Sequence, residues 1–142
     1  PKQVATRMER ARRLQEGLHK MPGLKATPQM LDERVTAHGF HLFSMRFDQD
    51  SFAGVSRSRV IEALQAEGVP VTPGYPQPIY RNKLFKHHPH VVHDCPEAES
   101  YCRTSIWLPH NALLADEEWI DGALAAISKV RERADELLPA AK

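Results

Sequence analysis

A proline-rich stretch over residues 68–85, GVPVTPGYPQPIYRNKLF, constrains the fold of this chain more than any other feature. Each proline lacks a backbone donor and fixes φ near about −65°, so the stretch excludes regular helix and is expected to be extended and turning. These prolines are Pro70, Pro73, Pro76 and Pro78.

A loop held rigid in this way can present side chains to a partner or ligand, because binding residues concentrate on loops that a scaffold positions. The side chains that this loop would present are Tyr75, Tyr80, Arg81 and Asn82. The alternative that the residues leave open is an extended linker that crosses the surface, with its tyrosines packed against the core.

Length and charge bound the class of protein. With 142 residues the chain is large enough to bury a core, and we expect one domain over residues 1–142.

A net charge of +1 gives no basic field that would recruit nucleic acid or an anionic membrane, and no apolar run is long enough to span a bilayer. Cys95 and Cys102 form no disulfide framework, which fits the reducing cytoplasm. Because the chain starts at Pro1 rather than Met, we expect it to be part of a longer protein.

Long helices are predicted at both ends. Apolar residues at helical spacing predict one helix over residues 2–20, and its opposite face carries four arginines that we interpret as solvated. They are Arg7, Arg10, Arg12 and Arg13. Asp116 is the predicted N-cap of a final helix that continues to about Leu138. Its expected buried residues are Ile120, Ala123, Leu124, Ile127, Val130, Ala134 and Leu137.

Shorter elements lie between these helices. Strands are predicted at residues 40–47, 69–72 and 104–108, and residues 24–38 are expected to form an irregular strand and a turn. Ser56 caps a predicted helix that ends before Gly68, and Pro96 opens a short one. The order of elements indicates an α+β fold, in which helices pack on a small, mostly antiparallel sheet that is not a simple meander.

A histidine cluster raises the question of a metal site. Imidazole, carboxylate and thiolate groups over residues 87–95 are suitable zinc ligands, but their spacing matches no known zinc signature. They are His87, His88, His90, His93, Asp94 and Cys95. We therefore predict no metal site, and keep a stand-alone metal-binding or interaction module centred on these residues as the alternative. No nucleophile elbow, Walker loop or dinucleotide fingerprint is present, so we predict no catalytic residue in this chain.

Two stretches resemble a known family. The runs SRSRVIEALQAEGVPVTPGYPQPIYRNKLF and CPEAESYCRTSIWLPHNALLAD are similar to the C-terminal small domain of DegT/StrS-type sugar aminotransferases. These are pyridoxal-phosphate enzymes of the aspartate-aminotransferase fold. The resemblance implies transamination of a keto-sugar or keto-cyclitol by an amino-acid donor such as glutamate or glutamine, in the cytoplasm, by an enzyme that is a homodimer when full-length.

The resemblance also implies that the cofactor is bound by a different domain of such enzymes. The cofactor forms a Schiff base with a lysine and acts as an electron sink, and that lysine belongs to the large domain of such enzymes. No lysine here stands in the family's cofactor-lysine context, so we expect this chain to bind no cofactor and to be inactive alone. A catalytically silent homologue with a regulatory role is a further alternative.

The small domain of these enzymes helps to shape the substrate pocket. Tyr75 occupies the tyrosine position of the family's common His-Tyr loop, although Gly74 replaces the histidine. Tyr80 falls where many members carry another histidine, and these departures suggest a cyclitol or an unusual sugar as substrate. The predicted substrate-binding residues are Tyr75, Tyr80, Arg81, Asn82 and His110.

Overall fold

The structure is a computed structural model that describes residues 2–27 and 36–138. Within these ranges the regular elements follow the predicted order. They are α1 (Lys2–His19), β1 (Leu24–Ala26), β2 (Leu42–Phe47), α2 (Arg57–Ala66), β3 (Thr72–Pro73), α3 (Pro96–Thr104), β4 (Ser105–Pro109) and α4 (Glu117–Glu132). The turn that the sequence predicted after β1 falls largely on residues 28–35 and lies outside the described residues.

The strands form one antiparallel sheet. Its order is β1-β2-β4-β3, and the register places Phe43 opposite Leu108 and Thr72 opposite Trp107. Because β4 lies between β2 and β3, the sheet is not a meander. The α+β class and the antiparallel sheet are both confirmed.

One face of the sheet packs on α1, α2 and α4 and forms the core. Phe43 and Met45 of β2 and Ile106 and Leu108 of β4 point to this face and are at most 2% exposed. The helices contribute the apolar faces that helical spacing predicted, including Leu14 of α1. Leu124 and Leu137, predicted to be buried, are only partly so.

Helix ends follow the capping residues. The Ser56 hydroxyl accepts the backbone N–H of Arg59 at 3.5 Å, and a carboxylate oxygen of Asp116 accepts that of Trp119 at 2.8 Å. Gly68 has a φ of +86°, which lets it end α2 in the left-handed conformation. The final helix is shorter than expected: α4 ends at Glu132, and a 3₁₀ turn covers Ala134–Leu137.

Two strand boundaries were wrong. The strand β2 begins at Leu42 rather than residue 40, because Phe40 has a φ of +44° that interrupts extended backbone. The short strand is Thr72–Pro73 rather than 69–72. The Val69 N–H donates to the Leu64 carbonyl at 2.9 Å and so completes the end of α2 instead of joining the sheet.

The interpretation of the α1 arginines as a solvated face was wrong for Arg10, whereas the Arg13 side chain is 42% exposed and pairs at the surface. The Arg10 side chain is only 15% exposed and donates to a Glu117 carboxylate oxygen at 2.8 Å. Arg13 forms two hydrogen bonds to the carboxylate of Asp121, at 2.8 and 2.6 Å. These residues join α1 to α4. No helix in the described part of the chain is long and apolar enough to cross a membrane.

Candidate functional site

The second face of the sheet carries the candidate site. Ser44 and Arg46 of β2 alternate with the core residues, and they lie opposite Trp107 and Ser105 of β4. The helix α3 packs on this face. Beside it runs the segment of residues 75–94, here called the wall segment, which contains the second half of the proline-rich stretch.

Tyr101 of α3 is the polar centre of this face. Its hydroxyl oxygen accepts the indole N–H of Trp107 at 2.9 Å and shares a hydrogen bond of 2.5 Å with the Ser44 hydroxyl. The Arg46 guanidinium lies 5.2 Å from the centre of the Tyr101 ring, within cation–π range. Three residues from two strands therefore fix one tyrosine.

A groove of about 640 Å³ opens between α3 and the wall segment. Its lining is mostly apolar, with a few polar groups at the edges, as is typical of small-molecule sites. Residues that line it include Tyr75, Pro78, Tyr80, Asn82, Cys95 and Tyr101. Three of the five predicted substrate-binding residues, Tyr75, Tyr80 and Asn82, thus share one groove.

Tyr75 is placed by a close backbone approach. The Gly74 N–H donates to the Ser105 carbonyl at 3.0 Å, and a β-carbon at position 74 would lie 1.8 Å from the Ser105 hydroxyl oxygen. No side chain fits there, which explains in steric terms why this loop has glycine before its tyrosine. Tyr75 then packs edge-on against Trp107, with ring centroids 4.8 Å apart, and remains 65% exposed.

Tyr80 and Arg81 both bind one carboxylate. The Tyr80 hydroxyl donates to Glu99 Oε1 at 2.8 Å, and Arg81 Nη2 donates to the same oxygen at 2.5 Å. The hydrogen bond from Tyr80, followed by the charge of Arg81, holds the pKa of Glu99 below its usual value. The same hydrogen bond raises the pKa of Tyr80. All three residues line a second depression, of about 410 Å³.

Asn82 also caps a turn beside the groove, whereas His110 lies away from it. The Asn82 side chain accepts the backbone N–H of Leu84 at 3.0 Å and so caps the 3₁₀ turn Lys83–Phe85. His110 follows β4 and stacks on His41, with ring centroids 5.9 Å apart. It does not line the groove.

The described residues do not fit pyridoxal phosphate, the cofactor that the sequence resemblance implied. A Schiff-base lysine has to face a cavity, but all the described lysines are exposed and none lines the groove. Lys129 is also paired with both carboxylate oxygens of Glu67, each at 2.8 Å. We therefore derive no chemical step through the cofactor from these residues.

The histidine-rich stretch does not assemble into a metal site. Within residues 2–27 and 36–138, no three His, Cys, Asp or Glu side chains come together in a way that could hold a metal ion. His90 instead shares a hydrogen bond with the carbonyl of His88 at 2.7 Å. The metal-binding alternative gains no geometric support.

Comparison with known proteins identifies the family of this chain. The sequence profile of the DegT/DnrJ/EryC1/StrS aminotransferase family matches residues 1–124. The chain belongs to this family. Members of the family are dependent on pyridoxal phosphate.

Curated relatives of this aminotransferase-family chain include two proteins of Streptoalloteichus tenebrarius. One, provisionally named L-glutamine:3-amino-2,3-dideoxy-scyllo-inosose aminotransferase, is 32% identical over 124 residues, which cover 75% of this chain and 30% of the relative. The other, L-glutamine:2-deoxy-scyllo-inosose aminotransferase, is 29% identical over 126 residues, which cover 78% of this chain and 30% of the relative. The chain thus spans about a third of the length of the relatives it matches.

A solved structure supports the same fold. The crystal structure of 3-amino-5-hydroxybenzoic acid synthase superposes with a TM-score of 0.76 at 22% identity. The match covers 93% of this chain and 35% of that one. At this identity the likeness establishes the fold alone.

Sequence reasoning missed Glu99 and Tyr101. Both lie in the run CPEAESYCRTSIWLPHNALLAD that carries the family resemblance, but neither was predicted to have a role in the site. A signal was nevertheless present, because Cys95, Glu99 and Cys102 follow the helical spacing of one face. Cys95 and Cys102 of that face line the groove, and Glu99 lines the second depression.

Proposed function

We propose that this chain is the C-terminal small domain of a pyridoxal-phosphate-dependent aminotransferase that aminates a keto-cyclitol or a keto-sugar. The observation that carries the proposal is the family match over residues 1–124. Relatives named for L-glutamine and scyllo-inosose derivatives support a cyclitol as acceptor and L-glutamine as donor.

In this proposal the chain contributes one side of the substrate pocket and no catalytic residue. The match covers only 30% of each of these relatives, which supports a cofactor held by other parts of a longer protein. The 142 residues alone would then neither bind the cofactor firmly nor turn over substrate.

The groove suits a polyol ring in chemical terms. Aromatic faces such as that of Tyr75 stack on the C–H side of such a ring, while hydroxyl and amide groups bond its oxygens. Tyr75 keeps most of its side chain exposed for this purpose. The hydroxyl of Tyr80 and the guanidinium of Arg81 are engaged by Glu99, so they act mainly through the shape of the pocket. His110 would contact substrate only at the margin.

We further infer a cytoplasmic homodimer for the full-length enzyme. Both Cys95 and Cys102 are free thiols, which agrees with a reducing compartment. Sedimentation of the full-length protein tests the dimer, and a monomer at assay concentration would contradict it.

The test uses the full-length protein beside the 142-residue chain. We expect the full-length protein to show the absorbance band of bound cofactor and to transfer the amine of L-glutamine to 2-deoxy-scyllo-inosose or a related ketone. The short chain should do neither. A full-length protein that binds no cofactor would favour a silent regulatory homologue. Stoichiometric zinc binding by the short chain, lost in a His90→Ala, His93→Ala double variant, would favour the metal module.

A further inference from the structure

The wall segment, residues 75–94, has few connections to the rest of the molecule. Its backbone hydrogen bonds, such as those from Arg81 to Pro78 and from Phe85 to Asn82, stay inside the segment. Within the described residues, every hydrogen bond that leaves the segment ends on the carboxylate of Glu99. The hydrogen bonds that attach this side of the groove to the rest of the molecule therefore all depend on Glu99.

Apolar packing holds the segment only weakly. Pro78 is its one buried residue, and Tyr80 and Phe85 are half-buried. Ile79 and Leu84 are each 76% exposed, so their side chains add little burial. The Tyr75 ring packs against Trp107 of the sheet, at the N-terminal end of the segment.

We propose that Glu99 is the positioning residue of this segment, fixing Tyr80 and Arg81 against α3 and with them the width of the groove. Glu99 is suited to this role because one oxygen takes both donors, while Arg103 lies 3.9 Å from its other oxygen. Hydrogen bonds to an ionised acceptor are stronger than neutral ones, and the two donors are consecutive residues. A single carboxylate thus fixes the direction of the chain where it passes α3.

The consequence for substrate rests on the proposed function. If the groove forms one side of the substrate pocket, loss of Glu99 widens it without touching the reacting atoms. Binding of the keto substrate then weakens, while the chemical step and the binding of the amino donor stay as they were. Glu99 acts through Tyr80 and Arg81 and has no catalytic role.

The direct test is tryptic cleavage after Lys83 and Lys86, which are exposed and lie within or next to the 3₁₀ turn Lys83–Phe85. Cleavage of a loop tracks the population of its detached form. We expect Glu99→Ala to speed cleavage at these sites by about three- to tenfold, the effect of one hydrogen-bonded ion pair on a surface. Glu99→Gln should give a smaller increase, because the amide oxygen still accepts from Tyr80 but carries no charge.

Glu97→Ala is the matched control. Glu97 lies on the same helix and pairs with Arg46 at 3.2 Å, with no hydrogen bond to the wall segment. Its removal should leave cleavage after Lys83 and Lys86 at the wild-type rate. If Glu99→Ala lowers the melting temperature enough to confuse the result, Tyr80→Phe removes one of the two bonds and should still speed cleavage. Wild-type cleavage in Glu99→Ala, or an equal increase in Glu97→Ala, overturns the proposal.

Kinetics on the full-length enzyme separate this proposal from the proposed function. We expect Glu99→Ala to raise KM for the keto substrate about three- to tenfold, with kcat and the KM for L-glutamine unchanged. Faster cleavage with an unchanged KM contradicts the role of the groove in substrate binding but leaves Glu99 as the positioning residue. Unchanged cleavage overturns that role for Glu99, whatever the kinetics show.

Discussion

The two faces of the sheet are built on different principles. Toward α1, α2 and α4, residues such as Phe43, Met45 and Ile106 are almost completely buried, and the packing is apolar. Toward α3 the sheet presents Ser44, Arg46 and Trp107, which are held by hydrogen bonds to Tyr101 and its neighbours. Beyond them the wall segment leaves Tyr75 and Ile79 mainly exposed.

This difference separates the residues that stabilise the fold from those that we propose to bind substrate. Close-packed apolar faces contribute most of the free energy of folding, because every buried atom adds contacts and loses water. A face held by a few directed hydrogen bonds contributes less to the free energy of folding. It can instead form a concave surface with polar groups at its edges. Substitutions on the two faces should therefore differ in size and in what they change.

The largest effect is expected on neighbouring residues of β4 that point to opposite faces. Ile106→Ala should lower the free energy of unfolding by about 2–5 kcal/mol, because it opens a cavity in a fully buried site. Trp107→Phe, which removes the indole donor to Tyr101, should cost only about 1 kcal/mol. Urea unfolding of both variants measures the difference. Equal losses would contradict the division between the faces.

A smaller loss of stability is expected at Gly74, where the proline-rich stretch contacts the sheet. Gly74→Ala should cost about 1–3 kcal/mol, because its β-carbon overlaps the Ser105 hydroxyl. Gly122→Ala in α4 is the matched control, since nothing lies within 4 Å of its added carbon. That change should instead stabilise by about 0.4–1 kcal/mol, because alanine restricts the unfolded chain. A neutral Gly74→Ala would show that the loop approaches the sheet less closely.

Loss of the Tyr101 hydroxyl should lower the free energy of unfolding by about 1–2 kcal/mol. Tyr101→Phe leaves the indole N–H of Trp107 and the hydroxyl of Ser44 without this partner. The Trp107 emission maximum should shift in the folded protein, because its hydrogen bond is lost. Unchanged stability and fluorescence would mean that water replaces the hydroxyl without cost.

The smallest effect is expected at the surface pair of Arg13 and Asp121, which joins α1 to α4. Arg13 donates hydrogen bonds to Asp121 and holds the pKa of its carboxyl below the usual value. The pair therefore stabilises the folded state above the pKa of the unfolded carboxyl, and the contribution disappears as pH falls through the folded pKa. Asp121→Asn should lose this part of the pH dependence in urea unfolding, and the loss should shrink in high salt.

The core face could be predicted from the sequence more fully than the groove face. Apolar spacing located α1, α2 and α4, and the caps Ser56 and Asp116 located the starts of α2 and α4, because these signals are local. The boundary at Phe40 was missed because a positive φ in a bulky residue has no sequence signature. On the groove face, the prolines and tyrosines predicted the loop. Its hydrogen bond to Glu99 could not be predicted, because Tyr80 and Glu99 are distant in sequence. Such contacts follow from tertiary packing alone.

The most direct test of the proposed role of the groove is the KM of the full-length enzyme for its keto substrate after Tyr75→Ala. Tyr75 is 65% exposed on the groove and packs edge-on against Trp107, so its removal should spare folding. We predict that KM rises about tenfold, the order of one lost aromatic stacking contact, while cofactor content and the KM for L-glutamine stay at the wild-type level. An unchanged KM for the keto substrate, or a loss of bound cofactor, would contradict the assignment of this groove to substrate binding.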